Sequence, residues 1–326
     1  MANSANSVAD LRPSGPIPVG LSRCLAGKEV RYDGMGARSS WPHKALDGLF
    51  APIDICPEVG IGLGVPRPPI RLVEDAQVIR VERIDDADFE VSADLRAFGE
   101  QFVADHPHIA GFIFMHKSPS CGVHRVKVYR RGAEMPERRG QGVFAQAVTA
   151  ANPELPIDDG PRLFDAVLCD HFVTRTYAYA HWLAVAEDLT PKKLLDFHSM
   201  YKYLLMAHSP TQYSSCGKLL SQLKGVDLAE LAKEYSREFF AGLAQIPTHG
   251  THSNVLSHLQ GYFKKGLPSA ARQELALLID EYRKGDIPLL APLSLLRHHL
   301  LTFPNDYLEM QVYLEPHPGR ALRRAL

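Results

Sequence analysis

Three cysteines, Cys24, Cys56 and Cys121, lie more than thirty residues apart, and none belongs to a CxxC pair. Each nevertheless follows the same kind of segment. Cys24 comes after "IPVGLSR", Cys56 after "APIDI" and Cys121 after "AGFIFMHKSPS". Short apolar runs of this sort read as buried strands, and each breaks into a loop rich in Gly, Pro or Ser. In an open parallel α/β sheet such loops gather along the carboxyl edge, where these folds bind ligands. Three thiols distant in sequence can therefore converge. Thiolates suit a soft metal centre, and three protein ligands leave a coordination position open, as a catalytic centre requires. Taken singly, a cysteine after a strand is more often a small buried hydrophobe, so the weight rests on the placement shared by all three.

Other reactive groups occupy the same loops. Glu58, in "CPEVG", sets a carboxylate two residues from Cys56, where general acid–base work would need one; its plainer reading is a helix-start residue. Ser118 and Ser120, in "SPSCG", can donate hydrogen bonds to a sulfur or a substrate oxygen, or simply shape the turn. Lys117, Arg31 and Arg67 are candidates for holding an anionic group of a substrate. Cys169 and Cys216 lack this setting and read as buried or helix-side residues.

The elements that must position these groups form an α/β N-terminal half. The three apolar runs alternate with the helical patterns at 93–106 and 143–152, which predicts a mainly parallel sheet with flanking helices. "AQVIRVERI" (76–84) alternates as a further strand. "GIGLG" (60–64) resembles a dinucleotide loop only weakly, because "VPRPP" follows instead of a helix. From about residue 190 the pattern changes to amphipathic helices separated by Gly or Pro. The first of them opens with Thr190 as N-cap and Pro191 at its first position. The expected organisation is a disordered tail over 1–15, an α/β catalytic domain over 16–165 and an all-helical domain over 166–326.

Composition bounds the function. At 326 residues the chain is long enough for two domains, and 45% hydrophobic with 22% charged residues is globular. The first sixteen residues carry no apolar h-region, and no apolar run reaches the ~18 residues that span a bilayer. Five cysteines in an odd set argue against a disulfide scaffold and for a reducing compartment, so a cytoplasmic protein without a membrane partner is expected. Residues 161–326 hold 18 Lys+Arg against 16 Asp+Glu, far short of the basic footprint of a DNA binder. The histidines of "HGTHSNVLSH" (249–258) lack a carboxylate or cysteine in a zinc pattern and read as helix-face residues.

Three motifs, "SRCLAGKEVRYDG" (22–34), "CPEVGIGLGVPRPPIRL" (56–72) and "SPSCGVHRVKVY" (118–129), resemble the thiouracil desulfidase family in type and order. The resemblance covers about residues 16–150. "LLDFHSMYKYLLMAHSPTQY" (194–213), "NVLSHLQGYFKKGL" (254–267) and "YRKGDIPLLAPLSLLRHHL" (282–300) resemble a helical domain of uncharacterised function often fused to the first. Together they resemble the subgroup that removes sulfur from 4-thiouridine in tRNA. What this implies is a 4Fe-4S cluster on Cys24, Cys56 and Cys121, with an iron left open for the thiocarbonyl sulfur. It also implies a catalytic glutamate at Glu58 and a serine at Ser118 or Ser120. The first motif departs from the commoner "SACLLG" at Arg23, which either contacts substrate or points outward. The helical half would then bind tRNA through Lys202, His208, Lys264, Lys265, Arg283 and Arg297, with Tyr201, Tyr203 and Tyr262 for stacking or hydrogen bonding. Two alternatives stand beside this reading: a desulfidase of small thiopyrimidines such as thiouracil or thiolated UMP, and a non-catalytic iron–sulfur or zinc protein that binds RNA or senses redox state.

Overall fold

The computed structural model describes residues 7–131, 133, 135–264, 266–319 and 322. The chain forms two compact units. One is Gly15–Phe172; the other gathers the residues before Gly15 with those from Val173 onward.

The first unit contains the expected parallel sheet. Strands β1 (Ile17–Ser22), β2 (Phe50–Ile55), β5 (Phe112–Phe114) and β8 (Ile157–Asp159) stand in the order β2-β1-β5-β8, all parallel. Register places Ser22 opposite Ile55 and Leu21 opposite Ile113, so the loops bearing Cys24, Cys56 and Cys121 leave along one edge. Helices α2 (Ser92–Asp105) and α3 (Val143–Ala151) bring Phe102 and Phe144 against Phe112 and Phe114. Each fully buried phenylalanine contributes about 1.5–3 kcal/mol, so this cluster anchors the short β5 below the third thiol loop.

A second, mixed sheet was not foreseen. It has the order β4-β3-β6-β7, from β3 (Ile70–Asp75), β4 (Val78–Arg83), β6 (Val126–Arg130) and β7 (Glu137–Gly140). Only β3 and β6 run parallel. Its inner face packs Ile70, Leu72, Val81, Val126 and Val128 with Leu95 of α2. Three of its strands are rich in charge, which hid their alternation among loop-like residues.

The second unit is helical, as expected. Helices α5 (Pro191–His208), α6 (Pro210–Leu220), α7 (Leu228–Leu243), α8 (His249–Gln260), α9 (Ser269–Lys284) and α10 (Leu290–Thr302) carry it. Thr190 caps α5, its hydroxyl accepting from the Lys193 amide at 3.2 Å. Ahead of the amphipathic pattern that starts near residue 190 runs the 21-residue helix α4 (Ala166–Ala186). Its buried residues, among them Phe172, Val173, Tyr177, Tyr179, Trp182 and Val185, face several directions, so no single apolar stripe announced it. The unit boundary therefore falls within α4 rather than at 165.

The N-terminal segment also differs from expectation over its described residues. Val8 is buried, its carbonyl accepts from His181 Nε2 at 2.7 Å, and the Arg12 guanidinium donates to the Glu315 carbonyl at 2.6 Å. His181 is wholly buried, and desolvation lowers its pKa to about 4. With Nε2–H donating to Val8, Nδ1 accepts from the Tyr201 hydroxyl at 3.0 Å, which satisfies the neutral ring. Because the unfolded histidine titrates at its ordinary value and the folded one at about 4, the unfolded state binds more protons between the two. Stability is then fully present above the ordinary histidine range and falls as the pH drops toward 4. Denaturation at pH 7 and pH 5 is expected to differ by about 2 kcal/mol from this residue alone, and less in His181→Asn. An unchanged difference in that variant would place the effect elsewhere.

Candidate functional site

The three thiol loops enclose a cavity of about 480 Å³, within the ordinary range of small-ligand sites. Cys24, Cys56 and Cys121 all line it, with Glu58, Arg67, Arg31, Lys117 and Ser118. Cys24 and Cys121 are buried and Cys56 is partly so. Burial, then the neighbouring Cys56, pushes the Cys24 thiol up to about 11, against a lowering by Arg31. Burial also raises Cys56. Cys121 is raised by burial first, then by Cys56, Glu58 and Cys24, so the three sulfurs sense one another electrostatically. Among the described residues no three His, Cys, Asp or Glu side chains are grouped to hold a single metal ion.

Glu58 is the most firmly held group in the cavity. It sits in the short helix α1 (Pro57–Gly60), with Cys56 as N-cap and Pro57 at the first position. One carboxylate oxygen, Oε2, accepts from Arg67 Nε at 2.8 Å and pairs with Nη2 at 2.7 Å. The other, Oε1, accepts from the Ser120 hydroxyl at 2.5 Å. Arg67 Nη1 donates in turn to the carbonyls of Val30 (3.0 Å) and Gly64 (2.8 Å), so the guanidinium knits three loop segments together. Its side chain is 4% exposed and that of Glu58 13%. Arg67, expected as an anchor for a substrate anion, is thus the partner of Glu58. Eight residues of Gly- and Pro-broken chain separate the two, and no helical or strand spacing signalled their meeting.

The two serines divide their tasks. Ser118 Oγ accepts from the amides of Ser120 (3.2 Å) and Cys121 (3.1 Å), a turn that shapes the thiol loop. Ser120 is fully buried and faces Glu58. Gly142 lets α3 abut this loop: a Cβ there would stand 2.4 Å from the Ser120 carbonyl. Asp159, at the end of β8, clamps the far side by accepting from the amides of Val123 (3.0 Å) and His124 (3.2 Å). Its place after a fourth parallel strand was the available clue, and it was missed. Among the cations, Arg31 pairs with Asp33 at 3.5 Å and Arg23 with Asp54 at 3.2 Å, while Lys117 is exposed with φ of 57°.

The cations of the helical unit are less uniform. Lys202 Nζ lies over the rings of Tyr203 (4.8 Å) and Tyr307 (4.9 Å). His208 is buried with Nδ1 at 2.7 Å from the Gln245 carbonyl, and the Arg297 guanidinium donates to the Leu314 carbonyl. Arg283 pairs with Asp280 at 2.6 Å. Lys264 is exposed, and Lys265 lies outside the described residues. Tyr201 is a core residue against Phe197 and Phe239, unable to stack on a base, whereas Tyr262 is 43% exposed. His252 bonds Tyr313 at 2.9 Å and His249 packs on Tyr282. Among the described residues no helix is long and apolar enough to cross a membrane.

Residues 202–318 match the model of a protein family of unknown function, DUF1722. Over 131 residues, 40% of this chain and 78% of the relative, the chain is 38% identical to the uncharacterised protein YbgA of Escherichia coli (strain K12). The chain belongs to the YbgA-like family. Ahead of its YbgA-like region, residues 19–160 match the 2-thiouracil desulfurase family model, so the protein joins a thiouracil desulfidase domain to a YbgA-like one. Among solved structures it is similar to a [4Fe-4S]-dependent thiouracil desulfidase, TudS. That likeness covers 47% of this chain and 97% of the other, at 23% identity and a TM-score of 0.37. The desulfurase match spans Cys24, Cys56, Glu58 and Cys121, and the YbgA-like match spans α6 to α10.

Proposed function

We propose that this YbgA-like protein is a desulfidase that converts 4-thiouridine in tRNA to uridine, in a reducing, cytoplasmic setting. The observation that carries the chemistry is Glu58, fixed by Arg67 and Ser120 in a cavity that three thiols line. The donor set fits a 4Fe-4S cluster: three soft thiols, Cys24 and Cys121 buried and Cys56 partly so, line one cavity and interact with one another. Cys24, Cys56 and Cys121 would hold the cluster, which when bound supplies an open iron as Lewis acid for a soft thione sulfur.

The overall exchange is hydrolytic. A ring C=S and a water become a C=O and hydrogen sulfide, with no electrons gained or lost. Glu58 receives the proton of the attacking water and later returns it to the departing group. The bond from Ser120 orients its Oε1, and the paired Arg67 guanidinium holds the carboxylate in place. A purely sensing or structural metal site has no use for a carboxylate so constrained. Lys202, Lys264 and Arg283 would meet tRNA phosphates; exposed pairs such as Arg283–Asp280 are weak and readily exchanged for a phosphate. His208 and Arg297 would support the helices that carry them.

The cavity's small volume also suits a free thiopyrimidine. The deciding experiment supplies oxygen-free protein with tRNA containing 4-thiouridine, and separately with 4-thiouracil and thiolated UMP, then quantifies uridine and hydrosulfide. Preference for tRNA is the expected result. Preference for the small molecules would move the substrate to the alternative, and no turnover of any by iron-loaded protein would remove the desulfidase reading.

A further inference from the structure

A second cavity, of about 670 Å³, adjoins the first and shares His116 and Lys117 with it. Its wall is cationic: Lys117, Arg125, Lys127 and Arg138 all line it. Among the described residues none of these four has an acidic partner. The acids nearby are engaged otherwise, Asp158 with Arg162 at 2.6 Å and Asp159 with the two backbone amides already described.

The backbone concentrates this charge against its own preferences. Lys127 of β6 and Arg138 of β7 are direct cross-strand partners, an arrangement in which like charges repel. The pairing register shifts between Val126 and Lys127, as at a bulge that re-aims a side chain. Lys117 and Arg125 are two of four described non-glycine residues with positive φ, at 57° and 56°. Such conformations persist where surrounding structure enforces them and gather at ligand sites. At the junction of the cavities His116 Nδ1 is buried and has no hydrogen-bond partner among the described residues. An anion resting here would relieve the repulsion and supply the missing acceptors at once.

We infer that the second cavity is a phosphate subsite, holding a phosphate of the nucleotide whose base enters the thiol cavity through the shared wall of His116 and Lys117. The inference rests on the desulfidase reading only for the identity of the base. Both a mononucleotide phosphate and an RNA backbone diester carry this chemistry. Lys117 and Arg125 approach from the thiol loop and Lys127 and Arg138 from the second sheet, so the anion is gripped from two directions. An attached phosphate would thereby fix how deeply the base is inserted.

The test is a binding measurement with unthiolated ligands, independent of turnover. Calorimetry on the full chain compares uridine, uridine 5′-monophosphate and a short oligouridylate without terminal phosphate. In the parent, the monophosphate or the oligonucleotide is expected to bind about tenfold or more tighter than uridine, as charge-assisted bonds to phosphate would give. In Arg125→Gln/Arg138→Gln, whose side chains are exposed, that advantage is expected to vanish while the melting temperature is kept. A stronger gain from the monophosphate assigns a mononucleotide, and one from the oligonucleotide assigns the RNA backbone. Equal binding of all three ligands by the parent, or an advantage that survives in the variant, would overturn the subsite. Binding as expected in a protein that desulfurates nothing would leave the subsite standing and refute only the reaction.

Discussion

Glu58→Gln is expected to lower desulfuration turnover by about 10²- to 10⁴-fold, the range associated with loss of a general acid–base group. The substitution keeps the shape of the side chain and an oxygen to accept from Ser120, but removes the site for the proton. Because Cys24, Cys56 and Cys121 are untouched, iron content should match the parent, which separates loss of proton transfer from loss of the centre. Turnover per iron within a few fold of the parent would show that water is activated elsewhere. Ser120→Ala is expected to cost less, since it removes an orienting bond and leaves the carboxylate itself.

The second large effect is on stability. Arg67→Ala should destabilise the first unit by about 3–5 kcal/mol, because removing one member of a buried pair strands the other. Glu58 Oε2 and the carbonyls of Val30 and Gly64 all lose a donor in that variant. Glu58→Gln strands the charge in the opposite sense, leaving the buried guanidinium facing an amide. The double variant Glu58→Gln/Arg67→Met removes both charges and is expected to regain much of the stability without any of the turnover. Urea midpoints for the parent, Glu58→Gln, Arg67→Met and the double variant give the coupling directly. A loss under about 1 kcal/mol in Arg67→Ala would mean that solvent reaches the pair and screens it.

The thiol site was legible because strand endings are written locally. "IPVGL", "APIDI" and "AGFIFM" end where their apolar runs end, and a parallel sheet brings such ends to one edge. That edge placed Cys24, Cys56 and Cys121 around one cavity, with Glu58 beside them. What could not be read locally was who faces whom. Arg67 turns inward to Glu58 because the chain doubles back through "GIGLGVPRPP", a path set by tertiary packing. Helix α4 escaped notice because burial on several faces erases the amphipathic period. The charged strands β6 and β7 escaped because Lys and Arg are poor strand signals, although those cations make the second cavity. In the helical unit the sequence offered a set of cations without showing that His208 and Arg297 are bonded to backbone carbonyls.

Everything proposed for the reaction depends on what the three thiols hold. The measurement that reaches this most directly is iron and acid-labile sulfide per chain in protein purified without oxygen, beside Cys121→Ala. About four of each in the parent, largely lost in the variant, is the expected result for a 4Fe-4S centre. Zinc alone, or an iron content that Cys121→Ala leaves unchanged, would contradict it.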